Sequence, residues 1–385
     1  MNAPKLRFKE FSDEWKRYKL QDLCNIYLGV TYTPTYVKTG KIFISSKDIS
    51  KGYLDLSESK YISLEEYNKI SSNAKPKKGD VLFTRVGSNL GNPTVIETNV
   101  DLTIFVSLGY LRVNKLFNNY FSKYWMQSNY FWRQVESKVA GGAKQNLNTG
   151  WISKFDINVP IICEQEKISK TLQFLDKKIE LQSKKIEDLK LFKLYTKNQI
   201  FNDYDEVFKL KDILVKWNKK NKNNSVKYVE SISNKYGFIS QSDQFEDRNV
   251  ASKNLNNYYI IEKGVFGYNP SRLNVGSLAL KTNDKISVVS PLYECFTTSQ
   301  NNQYLLEWFN SKYFRKETIS KFEGGVRNTL NFSNLCEIEI RLPIIEKQNK
   351  YSNIFKVFNN KIELEVKKLY KLQELKKGLM QNMFV

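Results

Sequence analysis

From Pro160 onward, apolar residues fall at Ile168, Leu172, Leu175, Ile179, Ile186 and Leu189, in alternating steps of four and three broken once by the polar Gln182. Such a seam marks a long amphipathic helix that packs on another helix. The seam returns at Tyr351, Phe355, Phe358, Ile362, Leu369 and Leu372, with Glu365 at the polar step. Neither segment holds an internal proline, and glycine enters only at Gly378. Each therefore predicts a helix of about 37 residues, roughly 55 Å long. A long amphipathic helix does not stay single in water, and two in one chain supply each other's partner.

The rest of the chain reads differently. Runs rich in Val, Ile, Tyr and Phe at Lys41 to Ser45, Asp80 to Thr84, Thr103 to Val113, Tyr258 to Ile261 and Ile286 to Val289 are broken by Gly, Asn and Pro turns, as short strands are. Two aromatic-rich helices are expected over Tyr120 to Ser137 and Gln303 to Ser320, their aromatics facing a core rather than a ligand.

These elements occur twice. Gly141 to Phe201 recurs without a gap as Gly324 to Phe384, 183 residues later, with Leu147-Asn148, Pro160-Ile161-Ile162, Gln165, Ser169 and Lys178-Ile179-Glu180-Leu181 all repeated. Sparser matches at the same spacing reach back to Phe83 and Phe266, Tyr110 and Tyr293, Trp125 and Trp308, and Ser128 and Ser311. A unit of this length is a duplicated domain rather than a solenoid repeat. The expected fold is α+β: two mixed α/β domains, each followed by a constant helix. If an approximate two-fold axis relates the copies, the helices pair antiparallel and hold the domains apart, with Gln182 and Glu365 either fixing the register or standing as plain solvated defects in the seam.

Composition narrows the chemistry. The 385 residues contain no histidine, so histidine triads, bases and metal sites are excluded. There is no phosphate-binding GxxxxGK[ST] loop and no GxGxxG after a strand. Asn269-Pro270-Ser271-Arg272 only approaches an amino-methyltransferase [ND]PP[YF] signature, and acidic pairs such as Asp203/Asp205 or Glu65/Glu66 read as solvated surface. No catalytic or metal constellation emerges. Cys24, Cys163, Cys295 and Cys336 lie far apart and read as reduced core residues. No run approaches a membrane span and the N-terminus lacks a signal-peptide pattern, so a cytoplasmic protein is expected.

Charge points to a polyanionic partner: Lys and Arg number 61 against 40 Asp and Glu, a formal +21. An AT-rich coding sequence also favours lysine. Arginine is the more diagnostic residue, since its planar fork reads guanine or clamps phosphate. All ten arginines fall outside the two long helices.

The chain resembles the specificity subunits of type I restriction-modification systems. The resemblance rests on Leu6-Arg7-Phe8, Phe11, Glu14-Trp15 and Leu20-Gln21-Asp22-Leu23, on Lys78-Gly79-Asp80-Val81-Leu82-Phe83, on the Gly141-Gly142 loop, and on Val159-Pro160-Ile161 leading to Glu164-Gln165-Glu166-Lys167-Ile168. It implies a first target-recognition domain with an N-terminal segment over 1–160, a spacer helix over 161–203, a second recognition domain over 204–343 and a second spacer helix over 344–385. It also implies a non-catalytic chain that binds a bipartite double-stranded DNA target, one half-site per domain. Two adenine methyltransferase subunits and two restriction-translocase subunits would join it, and S-adenosylmethionine, ATP and magnesium would belong to those partners.

Base readout and phosphate contact both need polar loops near glycine turns. In the first domain the candidates are Lys77, Arg85, Ser88, Asn89, Asn92, Lys144, Gln145 and Asn146. In the second they are Lys219, Lys222, Asn223, Arg248, Arg272, Asn274, Lys281, Arg327 and Asn328. Two other classes stay open: a self-contained nuclease or methyltransferase with an acidic site, and a coiled-coil scaffold that binds no DNA. A subunit of a system that methylates without restricting is a narrower variant of the main reading.

Overall fold

A computed structural model of the chain describes residues 3–87, 90–138, 146–234, 236–241, 254–318 and 329–385. Two units share the chain: Met1–Lys184 with Lys367–Val385, and Lys185–Val366.

Unit 1 begins with β1 (Lys16–Lys19), α1 (Leu20–Leu23), β2 (Cys24–Leu28), β3 (Tyr36–Val37), β4 (Lys41–Ile44), β5 (Lys60–Ile62) and α2 (Leu64–Lys69). It continues with β6 (Val81–Thr84), β7 (Gly91–Val95), β8 (Leu102–Ile104), β9 (Leu108–Val113), α3 (Asn119–Gln127), α4 (Asn129–Glu136), α5 (Thr149–Ile152), β10 (Asp156–Val159) and the first part of α6 (Ile162–Ile200). Strands run β2-β9-β6-β7 in one sheet and β3-β5-β4-β8 in another, and β1 pairs with β10. The apolar run from Thr103 to Val113 is thus two strands, not one. Phe105 donates to Ile44 O and Leu108 to Phe105 O, which turns the chain out of the second sheet and into the first.

Unit 2 holds β11 (Glu206–Lys209), α7 (Leu210–Ile213), β12 (Leu214–Lys216), β13 (Glu230–Ser233), β14 (Gly237–Ser240), β15 (Tyr259–Ile261), β16 (Phe266–Tyr268) and β17 (Leu278–Leu280). After them come β18 (Ser287–Val289), β19 (Glu294–Thr298), α8 (Asn302–Phe309), α9 (Lys312–Thr318), α10 (Phe332–Cys336), β20 (Glu339–Leu342) and α11 (Ile345–Asn382). Its sheet β12-β19-β16-β17 repeats the order of β2-β9-β6-β7, and β11–β20 repeats β1–β10.

The spacing between copies is not uniform. Helices from α3 onward sit 183 residues before their counterparts, but β1 precedes β11 by 190. In the central sheets Val81 pairs with Leu111 as Phe266 pairs with Phe296, a spacing of 185. Phe83 and Phe266, or Tyr110 and Tyr293, therefore coincide at 183 without holding equivalent strand positions. Length differences in the diverged parts are absorbed before α3. Gly79 and Gly264, with φ of 91° and 93°, make the same left-handed turn into β6 and β16, a conformation that side chains resist.

The repeated polar residues close helix ends. Asn118 and Asn301 accept from Phe121 N and Tyr304 N at the starts of α3 and α8. Gln165 is buried and accepts from Asn118 N while donating to Pro160 O and Leu116 O. Gln348 does the same with Asn301 N, Pro343 O and Gln300 Oε1. Each glutamine thereby ties the long helix to the domain before it. The expected helix over Tyr120 to Ser137 is interrupted because Ser128 turns extended and caps Phe131 N, and Ser311 caps Phe314 N likewise.

α6 spans 39 residues and α11 spans 38. Within unit 1, Asp176 of α6 meets Lys376 of α11 at 2.5 Å. Within unit 2, Lys185 meets Glu365, Phe192 meets Phe358, Lys193 meets Asn359 and Phe201 meets Phe355. Within unit 2 numbers fall on α11 as they rise on α6, and in unit 1 Ile168 and Leu172 share a core with Met380, Met383 and Phe384 while Asp176 meets Lys376, so the segments run antiparallel in each unit. Ile168, Leu172, Leu175, Ile186 and Phe355 are buried; Ile179, Leu189, Tyr351, Phe358, Ile362, Leu369 and Leu372 are half-buried. The helix ends complete the cores: Phe384 packs on Phe121 in unit 1, and Phe201 on Tyr304 in unit 2.

Candidate nucleic-acid interface

Both central sheets end at the same device. Past β6, Arg85 O accepts from Leu147 N at 2.9 Å, and Val86 forms an antiparallel bridge with Asn146. Past β16, Pro270 O accepts from Leu330 N at 3.1 Å. Leu147 and Leu330 recur because both are buried anchors. Beyond the anchored strand end the two units differ. Unit 1 continues Val86-Gly87, whereas unit 2 makes a 3-10 turn over Pro270–Val275, capped by Asn269 through Ser271 N and closed by Gly276 at φ 89°.

Among the described residues, Arg85 is the arginine that candidate loops and sheet bring together with another candidate. Its Nε donates to Leu147 O and its Nη1 to Val106 O, both at 3.2 Å, and its Nη2 to Asn146 Oδ1 at 3.5 Å. All three acceptors are neutral. Burial lowers the guanidinium pKa from its ordinary value, since nothing negative offsets desolvation.

The other described arginines divide by charge pairing. Arg7 grips the buried Glu164 with Nε and Nη2 at 2.8 Å, Arg112 grips Asp80, and Arg17 holds Asp156, whose carboxyl falls to about 2 beside Arg17 and Lys19. These are structural clasps, and Asp80 also accepts from Lys77 N to shape the turn before β6. Arg133, Arg272 and Arg315 are exposed and have no carboxylate partner among the described residues. Arg341 lies over the Tyr204 ring. Arg133 and Arg315 stand in the last turns of α4 and α9, where a search confined to loops passes them over; the signal for them is the helix leading into each Gly-Gly segment.

The remaining candidates scatter. The Lys77 side chain is exposed, as are Lys222 and Asn223 at the tip of a turn closed from within by Asn221, which holds Val226 through both amide atoms. Lys219 reaches Glu262. Asn92 is half-buried and donates to Ile49 O at 2.5 Å, bracing the segment after β4. Lys281 corrects an expectation: it is buried and its ammonium lies on Glu230, which Ser287 Oγ also approaches at 2.5 Å, so it serves the interior of unit 2 and not a surface. Ser88, Asn89, Lys144, Gln145, Arg248, Arg327, Asn328 and the side chain of Asn274 lie outside the described residues.

Among the described residues, no helix is long and apolar enough to cross a membrane. The sequence profile of the type I restriction modification DNA specificity domain matches residues 12–191 and again 203–374. The solved type I restriction-modification system S subunit from M. genitalium aligns over 100% of this chain and 99% of its own, at 13% identity and a TM-score of 0.60. A chain from a structure described as addressing complex assembly and conformational transition of the type I R-M system aligns over 95% of this chain and 96% of its own, at 14% identity and a TM-score of 0.58. At these identities the likeness is one of fold.

Proposed function

The chain belongs to the type I restriction modification DNA specificity family, and from that premise we propose that its two units each read one half of a split double-stranded DNA target. As a member of that family it is a non-catalytic recognition subunit of a restriction-modification complex. The observation that carries the bipartite reading is the strand-end device built twice on one plan. Constant anchors Leu147 and Leu330 hold it, while the residues presented, Arg85-Val86-Gly87 against Pro270-Ser271-Arg272, are unlike. Two readers on one frame suit two unlike half-sites.

DNA, a methyltransferase and a restriction-translocase subunit are the partners of this reading, with two copies of each enzyme subunit. Support for paired docking comes from apolar side chains left exposed outside the helical seam. Ile161 and Ile344, Ile162 and Ile345, Phe174 and Val357, and Leu181 and Leu364 are all exposed, and each pair is 183 residues apart. Exposed apolar positions that recur in register mark two equivalent protein-binding faces. S-adenosylmethionine, ATP and magnesium belong to the partner subunits, and the assembly acts in the cytoplasm.

The test is a salt titration of duplex DNA binding by the chain assembled with its methyltransferase partner. Binding through several phosphates weakens steeply as salt rises. Affinity that is flat across that range contradicts DNA recognition and favours a protein scaffold.

A further inference from the structure

A partly buried arginine is ordinarily matched to a carboxylate, because an unmatched buried charge is costly. Arg7 and Arg112 obey that rule, each with a two-pronged grip on an acid. Arg85 does not: half-buried, it leans on two carbonyls and an amide at 3.2 to 3.5 Å. Those contacts fix the plane of the guanidinium without neutralising it. Of its five N–H groups three are engaged, leaving one each on Nη1 and Nη2.

We propose that Arg85 reads a guanine in the half-site taken by unit 1. Two donors left on a braced fork are the number that the O6 and N7 acceptors of a guanine in the major groove require. Asn146, exposed and bridged to Val86, stands beside that fork as a second polar group at the same strand end. A phosphate contact needs no such bracing, and the exposed unpartnered arginines suit that task better. The equivalent strand position in unit 2 is Pro270, which has no side-chain donor, so this contact has no counterpart in the other half-site. This inference rests on the reading of the chain as a DNA specificity subunit.

The experiment is methylome sequencing of cells carrying the wild-type chain, Arg85→Gln or Arg85→Lys with the methyltransferase partner. Wild type should give a split motif with guanine in one component. In Arg85→Gln that guanine should become degenerate, with discrimination there falling about ten- to a hundred-fold, while the other component and the gap stay as they were. Arg85→Lys keeps charge and reach but loses the planar fork, so it should relax the same position. An unchanged motif in both variants overturns the proposal. So does full wild-type specificity with Lys alongside uniform loss of methylation with Gln, the pattern of a phosphate or packing role. Absence of any split motif in the wild type would instead count against the proposed function itself.

Discussion

Lys376 lies 2.5 Å from Asp176 in unit 1, and the residues 183 places away, Lys193 and Asn359, meet at 2.7 Å in unit 2. The third member differs in charge. Tyr124 donates to Asp176 in unit 1, whereas Glu307 takes Lys193 and Lys197 in unit 2. One cross-helix contact is thus satisfied by an acid on the helix in one copy and by an acid on the preceding domain in the other.

The two versions should differ in stability effect. Glu307→Ala leaves Lys193 and Lys197 facing each other with little solvent, and is expected to lower unfolding stability by about 3–5 kcal/mol. Lys376→Met breaks a more exposed pair and should cost no more than about 1 kcal/mol. Denaturant unfolding of both variants checks the order.

The same cluster gives a pH dependence. Burial pushes the Glu307 carboxyl up, but Lys197 and Lys193 outweigh it, so its pKa in the folded chain lies below the ordinary 4.5. A depressed carboxylate contributes stability that is complete above the unfolded value and lost as pH falls through the folded one. Melting temperature should therefore drop as pH descends below about 4.5, and Glu307→Gln should flatten that part of the curve. An equal acid drop in both proteins would assign it elsewhere.

Arg272 is exposed at the second strand end and has no partner among the described residues. Arg272→Ala should weaken protection of the second half-site alone and reduce the salt slope by about one phosphate contact. Footprinting of the complex reads both half-sites at once; equal loss at both would remove Arg272 from this role.

The exposed pair Leu181 and Leu364 tests the two docking faces. Leu181→Lys or Leu364→Lys should each release one methyltransferase copy, and the double variant both, as read by the mass of the intact complex. Loss of both copies from a single substitution would mean that the faces are not independent.

The long helices are legible in the sequence because their seam is periodic, and the repeat marks Gln165 and Leu147. Other features depend on distant partners that no local pattern marks. Lys281 looked like a surface lysine, but Glu230, 51 positions away, takes it inside. Asp203 and Asp205 are solvated as expected, but they also hold Lys347, and Asp203 accepts from Tyr351. That acid-to-lysine clasp reverses Arg7 and Glu164 at the matching helix start. The breaks at Ser128 and Ser311 were hidden because the aromatics on either side keep helical spacing across them. Arg85 reads in the sequence as a polar loop residue, whereas its distinction, that no carboxylate among the described residues pairs with it, arises only from the fold.

If each unit reads its own half-site, one chain carries two different readers. Methylome sequencing of cells with this chain and its methyltransferase partner tests it most directly. The expected result is a split motif whose two components are unlike and whose gap is constant across every modified site; a single continuous motif, or components found at variable spacing, would contradict it.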